Sequence, residues 1–215
     1  MSPRSIVASS LALLLWFQTN LGSAALDDPH RQELALMHQP IEVADLADLD
    51  VWDDRQVEWR PASPKERPEQ LAPVLVLHLF GSWCVPCLAE FPLWRDMAPA
   101  LEAAHAGKLR VLYVALQTPR PAMEQMIRAR RDALPALGPG SRWRSDTSER
   151  LSNGLRKAIP GGNGKLPLPV TLLVDDQRVI RQAFVGPIDR RRSELAESVE
   201  RLVKLVSRIA PRKTR

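Results

Sequence analysis

The chain holds two cysteines, and they stand three apart in Trp83-Cys84-Val85-Pro86-Cys87. A C-x-x-C pair preceded by tryptophan has the spacing of a thiol–disulfide exchange site. Its position is what constrains the fold. The residues before it, Val74 to Phe80, are almost continuously apolar and read as a central strand covered on both faces. The residues after it, Cys87 to His105, place Leu88, Phe91, Trp94, Met97/Ala98 and Leu101 at spacings of three and four, which predicts a helix. Pro92 should kink that helix and Gly107 should end it. A sheet strand therefore runs directly into a helix with the first cysteine at the junction. There, backbone N–H groups and the helix dipole favour a thiolate over a thiol.

The rest of the chain supplies the layers around this unit. Leu109 to Leu116 reads as a second core strand, and Pro121 opens a helix with Met123, Met126 and Ile127 on one face. Ala136 to Trp143, with Gly138-Pro139-Gly140, reads as loop; Asp146 or Thr147 can cap a short helix bearing Leu151 and Leu155. Pro160 to Gly164 reads as a mobile loop. Val170 to Asp175 and Val179 to Val185 flank a turn as an antiparallel hairpin. Leu195, Val199, Leu202, Val206 and Ile209 then mark a closing helix over 193–209. Upstream, residues 26–40 are polar without clear periodicity and read as a flexible lead-in. Val43 to Trp59 predicts a small strand hairpin around Asp53-Asp54, and Pro61 to Pro68 a proline-rich surface loop. The order β-α-β-α(-α)-β-β-α predicts an α/β domain over 41–209, with a parallel strand pair and an antiparallel hairpin in one mixed sheet. Residues 210–215 are a basic tail.

Residues 1–25 have the layout of a secretory signal. Arg4 is the positive start, Ile6 to Phe17 the apolar stretch, and Gly22-Ser23-Ala24-Ala25 a small-residue cleavage site. The apolar run is short against the ~20 residues of a spanning helix, so cleavage after Ala24 or Ala25 is expected; an uncleaved anchor through residues 6–17 is the alternative. Either way the domain faces a periplasmic or other extracytoplasmic compartment, where disulfides persist. The net charge of +5 is spread among acids, apart from Arg190-Arg191-Arg192 and the tail. Neither basic patch is interleaved with aromatics, so no nucleic-acid partner is expected.

The segment Phe80-Gly81-Ser82-Trp83-Cys84-Val85-Pro86-Cys87-Leu88-Ala89-Glu90-Phe91-Pro92 resembles the active-site segment of the thioredoxin-like TlpA/ResA family. These are bacterial extracytoplasmic thiol–disulfide oxidoreductases related to the CcmG/DsbE cytochrome-maturation proteins. Leu168-Pro169-Val170-Thr171-Leu172-Leu173-Val174-Asp175 looks like the family's cis-proline strand. The resemblance covers roughly 41–209. It implies a thioredoxin fold: a central mixed sheet flanked by helices, here with an added N-terminal strand hairpin.

The resemblance implies roles residue by residue. Cys84 is the expected nucleophile and Cys87 the resolving thiol, which attacks the mixed disulfide and releases the substrate. A helix terminus contributes only ~0.3–1 kcal/mol toward the thiolate, so a larger effect on Cys84 needs a hydrogen-bonding partner such as the Cys87 thiol. Pro169 is expected to carry a cis bond facing the disulfide, with the Leu168 backbone free to pair with an extended substrate; a trans proline opening an edge strand is the alternative. Trp83 is expected to shape the docking surface beside the sulfurs, and Pro86 completes the dipeptide. Glu90, one turn after Cys87, matches the family's acidic position; it is either a proton shuttle or a solvated carboxylate. His78 departs from the pattern, because thioredoxins proper carry a buried acid six residues before the first cysteine. It is either the base for Cys87 or a core histidine.

The expected activity is thiol–disulfide exchange with no cofactor and no metal. The expected direction is reduction of cysteine pairs in exported proteins, because Val85-Pro86 resembles reductant members. A membrane electron donor would then recycle the pair. Apocytochrome c and copper-site proteins are the partners the family implies. A Sco-like copper-delivery protein and a non-catalytic thioredoxin-like adaptor are the alternatives. The absence of any histidine after His105 argues against the first.

Overall fold

A computed structural model of the chain describes residues 28–41, 43–53, 58–67, 72–135, 142–159 and 166–209. The expected leader at 1–25, the glycine-rich loop at 160–164 and the tail at 210–215 lie outside the described residues. Among the described residues, no helix is long and apolar enough to cross a membrane.

The strand-to-helix unit forms as its apolar pattern requires. β3 (Val74–Phe80) is buried along its whole length and leads into α3 (Val85–Ala104), which runs through both Pro92 and Pro99. Gly107 takes a positive φ of 72° in the following turn, a conformation that favours glycine. β4 (Leu109–Ala115) returns parallel to β3, and α4 (Arg120–Arg130) buries Met123, Met126 and Ile127. β6 (Val170–Val174) pairs antiparallel with β3 on its other side, β7 (Ile180–Val185) pairs antiparallel with β6, and α6 (Arg192–Ile209) closes the domain. The strand order β4-β3-β6-β7 with helices on both faces is the thioredoxin fold.

The added hairpin extends this sheet. β1 (Asp50–Asp53) and β2 (Glu58–Arg60) pair antiparallel, and Val51 of β1 pairs with Arg144 of a further strand, β5 (Trp143–Ser145). β5 runs parallel to β4, so among the described residues seven strands form one sheet in the order β2-β1-β5-β4-β3-β6-β7. The sequence pattern places loop up to Trp143, and a three-residue strand is too short to show alternation.

Two further differences lie upstream. Residues 29–36, expected as an unstructured lead-in, form α1 (Pro29–Leu36), started by Asp28, whose carboxylate accepts from His30 N. Its buried side chains are Glu33 and Leu36, a pairing that a hydrophobic pattern does not register. The expected hairpin region opens with a short helix, α2 (Val43–Ala47), before β1 begins. α5 (Arg150–Ala158) buries Leu151 and Leu155; its N-cap position is Glu149, not Asp146 or Thr147, although the Asp146 carboxylate accepts from Ser152 N in the first turn at 2.8 Å.

The alternation of β3 divides the core. Leu75, Leu77 and Leu79 face Leu36, Leu46, Leu151 and Leu155 on one side of the sheet. Val74, Val76 and Phe80 face the other side, in one apolar cluster with Cys84, Cys87, Phe91, Trp94, Leu195 and Val199. His78 shares the parity of Val76 and Phe80. It therefore lies under α3, on the cysteine side.

Candidate active site

Cys84 sits at the junction between the turn after β3 and the first turn of α3. It has non-helical angles (φ −85°, ψ 98°) and its sulfur accepts from the Cys87 N–H at 3.3 Å. Pro86 stands in the first turn, where its missing N–H removes no helical bond. The two cysteines form a disulfide. Cys84 is 4 % exposed and Cys87 fully buried, so an incoming thiolate meets Cys84 first.

The rim of the site is apolar and open. Trp83 is 59 % exposed and Val85 73 % exposed. The turn that presents them is braced from beneath by Thr118. Its hydroxyl accepts from Ser82 N at 3.1 Å and donates to the Leu116 carbonyl, while its own carbonyl accepts from Trp59 Nε1. Thr118 has no signal in the sequence, since it lies in a loop after β4. The Leu168–Pro169 peptide is cis, and the Pro169 carbonyl accepts from Gly186 N at 2.9 Å. Leu168 packs against the apolar cluster that contains both cysteines.

Between β3 and α3, one helical turn after Cys87, the structure brings His78 and Glu90 together. His78 is fully buried among Phe91, Trp94 and Tyr113, with the Trp94 ring centroid 4.8 Å away. Its Nδ1 shares a hydrogen bond of 3.2 Å with the Thr171 hydroxyl, directly opposite in the β3–β6 register. Its Nε2 points at Glu90 Oε2, 4.0 Å away. Glu90 is not a solvated helix carboxylate: it is 5 % exposed, and its Oε1 accepts from Ile188 N in the segment after β7.

These surroundings move both groups in opposite senses. Burial pushes the Glu90 carboxyl up to about 7; the Asp189 charge adds to the rise, and the N–H groups of Ile188 and Asp189 oppose it. Burial pulls His78 down to about 3. At neutral pH the imidazole is therefore uncharged, and Glu90 is poised between its two states. Glu90 also borders a groove of about 1320 Å³ that opens between Pro86 and Leu93 on one side and Pro187 and Ala196 on the other. A proton reaching Glu90 can pass to solvent through that groove, whereas His78 is sealed from it.

The site thus joins Trp83, Cys84, Pro86, Cys87 and Glu90 on one loop and helix with His78 on the strand that feeds it, and places Leu168 and Pro169 on the neighbouring strand entry. The sequence pattern does not mark Thr118 or Ile188. The hydroxyl of Thr171 had a signal in retrospect, because a polar residue inside the apolar run Val170 to Val174 must meet a polar neighbour across the sheet.

No protein-family model and no curated protein matches this sequence. Among solved structures, the chain is similar to StoA from Bacillus subtilis, with 20 % identity over 58 % of this chain and 80 % of that one and a TM-score of 0.42. It is similar to a thiol:disulfide interchange protein of the thioredoxin family from Chlorobium tepidum TLS, with 18 % identity over 78 % and 96 % and a TM-score of 0.48. It is also similar to a thioredoxin-related protein from Neisseria meningitidis serogroup B, with 22 % identity over 74 % and 98 % and a TM-score of 0.46.

Proposed function

We propose that this protein is an extracytoplasmic thiol–disulfide oxidoreductase that reduces cysteine pairs of exported proteins. The observation that carries the reading is the Cys84–Cys87 disulfide at a helix start, with the less buried sulfur first and a buried carboxyl of raised pKa one turn behind the second. In the reduced protein, the Cys84 thiolate attacks one sulfur of a substrate disulfide. A mixed disulfide forms and the first substrate sulfur leaves as a thiolate. Cys87 gives its proton to Glu90 and attacks the Cys84 sulfur. The substrate's second sulfur is released, two electrons have passed to the substrate, and the Cys84–Cys87 disulfide is left. A dithiol donor in the membrane restores the pair, and the leader at 1–25 delivers the domain to that compartment. Exposed Trp83 and Val85 give a docking rim for a protein chain.

The reduction potential of Cys84–Cys87, measured against glutathione, tests the direction. A reductant requires a value nearer the roughly −270 mV of thioredoxin than the roughly −120 mV of a strong oxidant. A value near the latter reverses the proposed electron flow. Substrates with a C-x-x-C disulfide, such as an apocytochrome c haem-site peptide and a copper-site peptide, then separate the two partner classes by rate.

A further inference from the structure

The segment that carries β7 into α6 is held by two buried carboxylates. Glu90 accepts from Ile188 N. From α1, Glu33 is 5 % exposed, and its Oε1 accepts from Val185 N at 2.8 Å and from the Arg191 guanidinium. Arg191 also lies 4.7 Å over the Phe184 ring and bonds to Glu194. Between these anchors, Gly186 N donates to the Pro169 carbonyl. One short stretch of backbone therefore touches the cis-proline and the acid behind Cys87, and its two ends are fixed by the same side chain.

We propose that Glu33 is a positioning residue for the redox site, holding residues 185–191 so that Gly186 and Ile188 meet Pro169 and Glu90. The alternative is that Glu33 only fastens α1 to the sheet. That fastening is supplied elsewhere. Just after α1, His38 N donates to the Ile180 carbonyl, Ile180 N to the Gln39 carbonyl and Ile41 N to the Arg178 carbonyl. These bonds tie the chain to the start of β7, and Leu36 is fully buried beside them. Glu33 reaches the opposite end of β7, where the segment toward the site begins. A carboxylate is costly to bury, and its partners there are the two ends of that segment.

Loosening the segment changes the surroundings of Glu90 with a definite sign. Glu90 is faced by His78 from β3 and by Ile188 and Asp189 from the segment, and the groove it borders is also lined by Asp96, Arg190 and Arg192. Burial outweighs the opposing N–H bonds from Ile188 and Asp189, so a loosening that admits water and weakens those bonds together lowers the pKa toward the ordinary carboxylate range.

The test uses the full chain with Glu33→Gln, Arg191→Met, Leu36→Val and Glu90→Gln. Amide exchange at Gly186 and Ile188 and the carboxyl titration of Glu90 are followed by NMR, and the pH dependence of mixed-disulfide resolution by rapid mixing. Glu33→Gln and Arg191→Met should speed both amides about tenfold and lower the Glu90 midpoint by about one unit. Leu36→Val, which loosens α1 without touching Glu33, should do neither. If Glu33→Gln or, should that variant not fold, Arg191→Met leaves exchange and midpoint at wild-type values, Glu33 is a fastening only and the inference is overturned. The inference rests on the reading of Glu90 as the proton acceptor, and the two fail separately. If exchange and titration move while wild type and Glu90→Gln share one pH–rate profile, that reading of Glu90 falls and the hold of Glu33 on the segment stands.

Discussion

His78 Nε2 and Glu90 Oε2 face each other at 4.0 Å inside the protein, and among the described residues neither atom has a hydrogen-bond partner. The sequence offers these two residues as rival bases for Cys87. The structure makes them neighbours with different access: Glu90 borders the groove, and His78 is walled in by Phe91, Trp94 and Tyr113.

Their displaced titrations should appear as opposed slopes in stability against pH. Glu90 moves from 4.5 up to about 7 on folding, so between those values the folded protein keeps a proton that the unfolded chain has lost. Its contribution is fully present below pH 4.5 and is lost as pH rises through about 7. His78 moves from 6.5 down to about 3, so its contribution is present above 6.5 and lost as pH falls toward 3. Between pH 4.5 and 6.5 the two slopes oppose each other. Glu90→Gln should unmask a rise with pH, and His78→Leu a fall, each approaching about 1.4 kcal/mol per pH unit relative to wild type. Urea unfolding of the oxidised proteins from pH 4 to 8 measures this, and curves parallel to wild type would refute the displaced values.

The same pair predicts unequal kinetic defects. Resolution of the mixed disulfide needs Cys87 as a thiolate, and loss of a positioned base costs roughly 100-fold or more. Glu90→Gln should slow that step by about this factor and leave the attack of Cys84 within about twofold. His78→Leu should slow it less than about tenfold. Replacing a polar ring by an apolar side chain should also raise the pH midpoint above the wild-type value, because the Glu90 carboxylate loses a polar neighbour. Single-turnover kinetics on a trapped mixed disulfide reads both effects. A larger defect in His78→Leu than in Glu90→Gln would move the base to the histidine.

The parts of this site that were legible in the sequence are those carried by local pattern. Cys84 and Cys87 are fixed by spacing, the strand and helix around them by period, and the Pro169 strand by its apolar run beside a proline. The pairing of His78 with Glu90 was not, because alternation places His78 opposite Leu77 and Leu79 without saying which face α3 covers. Glu33 was missed for a related reason. Its buried carboxyl meets Val185 N and Arg191 at the two ends of the segment after β7, and hydropathy counts a glutamate as a surface residue. β5 escaped because three residues cannot show a period. Its role as the bridge between the β1–β2 hairpin and β4 depends on partners from two separate parts of the chain.

Gly81 offers a test of the docking rim that leaves the sulfurs untouched. A Cβ built there would lie 2.8 Å from Trp83 Cε2 and 2.9 Å from Trp83 Nε1, closer than carbon and ring atoms approach. In Gly81→Ala the indole must therefore swing away. Trp83 is largely exposed, so the change should cost no more than about 0.5 kcal/mol of stability. If the indole receives the substrate chain, the KM for a disulfide-bonded protein should rise several-fold while reaction with a small disulfide stays at the wild-type rate. Equal loss on both substrates would mean that the indole supports the active-site turn instead of the partner.

The order of attack follows from burial and from the helix start together. Cys84 is the less buried sulfur, and it lies where the Cys87 N–H already points at it. That contact and the helix dipole both favour its thiolate, whereas full burial of Cys87 raises the cost of ionising it. In the reduced protein Cys84 should thus be alkylated by iodoacetamide at least about tenfold faster than Cys87 at pH 7, as read by mass spectrometry of timed samples. The same asymmetry fixes which variant traps substrate. Cys87→Ser keeps the attacking sulfur and removes the resolving one, so it should accumulate a mixed disulfide that survives non-reducing electrophoresis. Cys84→Ser leaves only the buried sulfur and should accumulate none. Equal trapping by the two variants, or faster alkylation of Cys87, would reverse the roles assigned to the pair and with them the need for a buried acid beside Cys87.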